Sequence, residues 1–140
     1  MNLNLGLVRF ILAHLALGVL SWLVGLLAYQ LVLHAVFHQT ASRGDWHAVV
    51  GMSAIVFFPL LLVAYWPVFL WLNDGIAASR RLLVFPLVGA LMGIVPFAAL
   101  GGIVRATGPM FSPESTLLLA LFASAGVIWG IGYAFIADRV

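Results

Sequence analysis

Residues 10–36 read FILAHLALGVLSWLVGLLAYQLVLHAV, which is 27 residues without a single Asp, Glu, Lys or Arg. A helix rises about 1.5 Å per residue and the hydrocarbon core of a bilayer is about 30 Å thick, so about 20 apolar residues cross it. The stretch can cross once and is too short to cross twice. Three others resemble it: residues 49–72, 82–104 and 115–137, of 24, 23 and 23 residues. The four hold 97 of the 140 residues, and all ten charged residues lie outside them. Lipid offers no hydrogen bonds, and a helix satisfies its own backbone. The runs are continuously apolar rather than alternating, which disfavours a β-barrel. The expectation is an all-α, polytopic integral membrane protein. It has one domain, residues 1–140, made of four transmembrane helices in a bundle.

Composition agrees. Charged residues make up 7% of the chain, against about 25% in soluble domains, and the mean hydropathy is +1.21. These values exclude a soluble globular domain and a disordered chain. They also exclude a nucleic-acid binder, because the high isoelectric point reflects six Arg against four acids rather than a basic stripe. There is no Cys, hence no disulfide framework and no thiolate site. The first apolar run is about twice the length of a signal-peptide core, so it reads as a membrane span. The tails and loops between spans are short.

The basic residues orient the chain. Arg9, Arg80, Arg81 and Arg139 fall on one side, Arg43 and Arg105 on the other. That bias puts both termini in the cytoplasm, in a plasma or bacterial inner membrane. Trp46, Tyr65, Trp66 and Trp71 read as interfacial anchors of the second span. Asp45 reads as its cap, Asn73-Asp74-Gly75 as its end with Gly left-handed, and Ser79 as the cap of the third span. Thr107-Gly108-Pro109 is a turn, and Ser112-Pro113-Glu114 opens the fourth span. Pro59, Pro67, Pro86 and Pro96 lie inside spans, where each removes a hydrogen bond and can kink its helix.

Small residues recur at helical spacing: Gly18, Ser21, Gly25 and Ala28 in the first span, Gly89 and Gly93 in the third, Gly126, Gly130 and Ala134 in the fourth. Such faces let helix backbones approach in lipid, within the chain or between chains. Helices one and three share an Arg and Gly pairs, too few identities for an internal repeat.

Candidate chemistry is sparse. His34 and His38 are spaced to share a helix face with Gln30, and Asp45 and His47 follow, so three imidazoles and a carboxylate form a candidate metal set. Interfacial polar residues explain the same pattern. His14 lies inside the first span and is a candidate cofactor ligand, for example to a haem, or a packing His. A second haem ligand at its depth is missing, since the other His lie toward the opposite end. Arg9 falls on the Gln30–His34–His38 side of the helix, away from the small residues. Ser21, Ser53 and Ser124 read as hydroxyls bonded to the preceding turn. No embedded carboxylate, nucleophile–base pair, phosphate loop or dinucleotide fingerprint is present.

The first functional reading is a small non-catalytic subunit or interaction module of a larger membrane assembly. Its partners are the lipid bilayer and other transmembrane helices, with no nucleic acid and no resident cofactor. The alternative is a homo-oligomeric small channel or transporter, with Gln30, His34 and Arg105 as a ring. A weaker alternative is a metal- or haem-binding membrane enzyme built on His34, His38 and His47.

Overall fold

The computed structural model describes residues 5–95, 97 and 113–137, and its regular elements are all helical. They are α1 (Leu5–Ala35), α2 (Arg43–Leu60), a π-helical turn (Leu61–Tyr65), α3 (Trp66–Gly75), α4 (Ala78–Met92) and α5 (Pro113–Ala137). Three segments are long and apolar enough to cross a membrane: Gly6–Ala35, Arg43–Gly75 and Ser115–Ala137. The fourth helix, α4, covers 15 residues. Pro96, Arg105, the Thr107–Pro109 turn, Ser112 and Arg139 lie outside the described residues, and so do residues 98–104 of the expected span 82–104.

Helix α1 ends where the expected His34–His38 face would continue. Val36 N–H still reaches the Val32 carbonyl at 2.9 Å. His38 then takes φ 52°, the left-handed conformation, and Gln39 N–H turns back to the Leu33 carbonyl at 3.2 Å. A left-handed residue here lets a following N–H satisfy an orphaned helix-end carbonyl. The cap of α2 is Ser42 rather than Asp45: its Oγ accepts from Asp45 N–H at 3.2 Å and donates to Asp45 Oδ2 at 2.5 Å. Asp45 is thus the third-position partner of a capping pair and lies near the positive helix end.

Helices α2 and α3 form one rod, widened between Pro59 and Pro67. Pro67 has no N–H to give Val63, and its ring would press on that carbonyl in a regular helix. The chain widens instead, and Trp66 N–H reaches back five residues to the Leu61 carbonyl. This re-phases the buried row Ser53, Phe57, Leu61, Tyr65 and Phe69. Five positions four apart would drift about 160° around a regular helix, and one extra residue in the wide turn takes back about 100°.

Gly75 stays helical, and no described Gly has positive φ, so the expected left-handed stop is replaced by extended Ile76. The turn to α4 is Ile76-Ala77, and Ala77 rather than Ser79 is the N-cap residue. Arg81 closes the turn, donating to the Ile76 and Asn73 carbonyls at 3.4 and 3.2 Å. A cation on these carbonyls complements the negative end of α3.

Helix α5 packs between α1 and α4. A Cβ on Gly89 would run into the Gly126 carbonyl, and one on Gly126 into the Gly89 carbonyl. Gly93 backs onto the Phe122 carbonyl, and Gly130 onto Phe85. On the α1 side, a Cβ on Gly25 would sit 2.6 Å from the Leu121 carbonyl. Gly18, on the same α1 stripe, serves another partner: its Cβ would meet the Leu61 side chain at 2.6 Å, where the π turn begins.

Candidate functional site

The buried polar residues are His14, Ser21 and Ser53, and no charged side chain is buried among the described residues. His14 is 1% exposed. It sits where α1, α3 and α5 meet, inside a box of aromatic rings. Trp66 stacks parallel to it at 5.2 Å between centroids, Tyr133 and Trp129 stand edge-on at 5.3 and 6.0 Å, and Phe10 lies at 4.1 Å. These distances suit aromatic pairing. Nδ1 lies 2.8 Å from the Phe10 carbonyl, so that nitrogen carries the proton and donates. Nε2 is then the free acceptor, and it is buried without a hydrogen-bond partner.

Other polar atoms of the interior are also without partners. Tyr65 Oη, Trp66 Nε1, Trp129 Nε1 and Ser21 Oγ are buried without partners as well. A haem iron needs an open approach to an imidazole nitrogen. Here Nε2 is enclosed by protein, so His14 can serve as an axial ligand only if the box opens.

Tyr133 connects the box to the rest of the bundle. Its ring meets Phe69 of α3 at 5.3 Å and Phe85 of α4 at 5.6 Å, and those two meet at 5.4 Å. One side chain therefore touches rings from α1, α3 and α4. A second polar link ties α1 to α2: Trp22 Nε1 donates to Ser53 Oγ at 3.0 Å, and Ser53 Oγ donates to the Val50 carbonyl at 3.2 Å. Neither the triad nor this link stands out in sequence, because each joins residues from separate helices. Ser124 bonds the Ala120 and Leu121 carbonyls of its own helix, whereas Ser21 makes no such bond.

The other candidate set does not assemble. His34, His38, Asp45 and His47 are all exposed. No three His, Asp or Glu residues come together as a metal-holding group among the described residues. Two local bonds explain part of this. His38 leaves the helical path, and His47 Nδ1 lies 2.6 Å from the Arg43 carbonyl, turned back on its own helix. Asp45 is engaged by Ser42. Arg9 is exposed and Gln30 half-buried. Of the expected interfacial aromatics, Trp71 is 76% exposed, but Tyr65 is fully buried in the bundle, because the π turn points it inward.

No family model, no curated protein and no solved structure matches this chain.

Proposed function

We propose that the chain is a multi-pass integral membrane protein with four crossing helices and cytoplasmic termini. It acts as a non-catalytic subunit or interaction module of a larger membrane assembly. The observation that carries this reading is the interior: rings, Gly contacts and three buried polar residues, with no buried acid or base pair among the described residues. The exterior supports it. Leu12, Leu27, Leu31, Ile55, Val63 and Leu83 are each more than half exposed, a surface suited to lipid or to other helices. Purification of the tagged chain from its native membrane in mild detergent tests the proposal. The expected result is stoichiometric copurification of different membrane proteins and no capture of an untagged second copy. A homo-oligomer with a water-filled axis would overturn it.

That outcome defines the second reading, a small channel or transporter. It rests on the π turn between two Pro residues, since wide turns of this kind recur at functional sites and hinges in helices. Labelling of single introduced Cys residues at Gly75 and Gly44 tests the orientation. Reaction of Gly75→Cys from the cytoplasmic side and of Gly44→Cys from the opposite side is expected; the reverse pattern inverts the topology.

A further inference from the structure

A cavity of about 430 Å³ opens where α1 ends and α2 and α5 begin. Its size falls in the range of small-molecule sites, about 300–1,000 Å³. The lining divides into two chemistries. Leu33, Val49 and Leu117 supply aliphatic side chains to the lining, Tyr29 and Phe37 supply aromatic rings, and Asp45 supplies a carboxylate. Among the described lining residues, Asp45 alone is formally charged. Ser42 occupies its Oδ2, and Oδ1 makes no hydrogen bond among the described residues.

The geometry points to a binding site for an organic cation: an alkylammonium head with a short apolar tail. A cavity that holds both a carboxylate and aromatic rings suits such a head, because ring quadrupoles attract a cation that is too weakly hydrated to resist leaving water. The aliphatic side chains take the tail, and the amide of Gln39 and hydroxyl of Thr40 complete the polar lining. An anion would meet the Asp45 charge. A purely apolar molecule would cover Oδ1 without giving it a donor, at a desolvation cost. The site goes beyond the subunit reading and does not depend on it.

The test uses the full chain in neutral maltoside micelles, with hexyltrimethylammonium as the probe and its uncharged tert-butyl analogue as control, read by calorimetry. The expected result is binding of the cation about tenfold tighter than of the analogue. Asp45→Asn keeps an acceptor for Ser42, so the helix cap survives; it is expected to abolish that preference. Leu33→Trp narrows the cavity and is expected to weaken the binding of both. Equal binding of cation and analogue, or a preference unchanged in Asp45→Asn, overturns the proposal. Competition in nanodiscs separates the sources of the head group. Displacement of the probe by phosphatidylcholine or phosphatidylethanolamine, but not by phosphatidylglycerol, assigns the site to a lipid. Equal probe binding in all three assigns it to a free organic cation.

Discussion

Where α4 meets α5, backbone touches backbone through Gly89 and Gly126; where the α2–α3 rod meets the same bundle, rings touch rings through Phe69, Phe85 and Tyr133. In the bilayer setting proposed above, lipid tails are as apolar as Leu, so hiding apolar area from water drives neither contact. Close packing has to do it. The glycine seam achieves this by removing side chains, and the rod by interlocking large ones. A seam has nothing that can move aside. A ring has rotamers and neighbours that can adjust.

Five substitutions test this contrast. Gly126→Ala should have the largest effect, about 3 kcal/mol, because its methyl meets a backbone carbonyl. Denaturant titration in micelles, followed by tryptophan fluorescence, measures it. A loss under about 1 kcal/mol would mean that the two helices can separate cheaply. Phe69→Ala should cost about 2 kcal/mol, below the roughly 3–5 typical of water-soluble cores, since the unfolded reference in lipid retains the transfer term. A cost above that of Gly126→Ala reverses the ranking of the two regions.

Pro67→Ala restores the N–H that the π turn lacks. The rod should revert toward a regular helix, turning Phe69 away from Tyr133 and lowering stability by about 1 kcal/mol. Persistent ring contacts between Phe69 and Tyr133 in NMR spectra would assign the wide turn to packing rather than to Pro67. His14→Phe should leave stability level or raise it by up to about 1 kcal/mol, because it keeps a ring against Trp66 and removes an unpaired acceptor. A clear loss would show that Nε2 has a partner in the working assembly. Outside both regions, His38→Gly should gain about 0.5 kcal/mol in the same titration, since Gly adopts the left-handed conformation without the Cβ penalty.

Three of the four charge-free runs fall on helical segments long and apolar enough to cross a membrane, because such runs report on the solvent around a whole segment; the fourth overlaps the 15-residue α4. It also marked the small residues of the seam: Gly89, Gly93, Gly126 and Gly130 are spaced four apart, a local regularity. It was poorer at helix ends. Ser42 and Asp45 both suit a cap, and only the backbone geometry chooses between them. Gly75 could stop a helix but need not. The ring clusters were not legible at all. Phe69, Phe85 and Tyr133 look like ordinary apolar residues until three helices bring them together. The π turn belongs to the same class: of the three described interior Pro residues, Pro67 follows it, while Pro59 and Pro86 lie within α-helices. The described residues do not bring the candidate metal set together, and the left-handed turn at His38, which spacing alone does not reveal, is part of the reason.

The turn at Ile76-Ala77 has one more consequence. Two residues, clasped by Arg81, join the α2–α3 rod to α4 as a hairpin with no slack between them. On the membrane reading proposed above, that hairpin enters the bilayer as one piece, and a charge added beside the turn weighs on both of its arms at once.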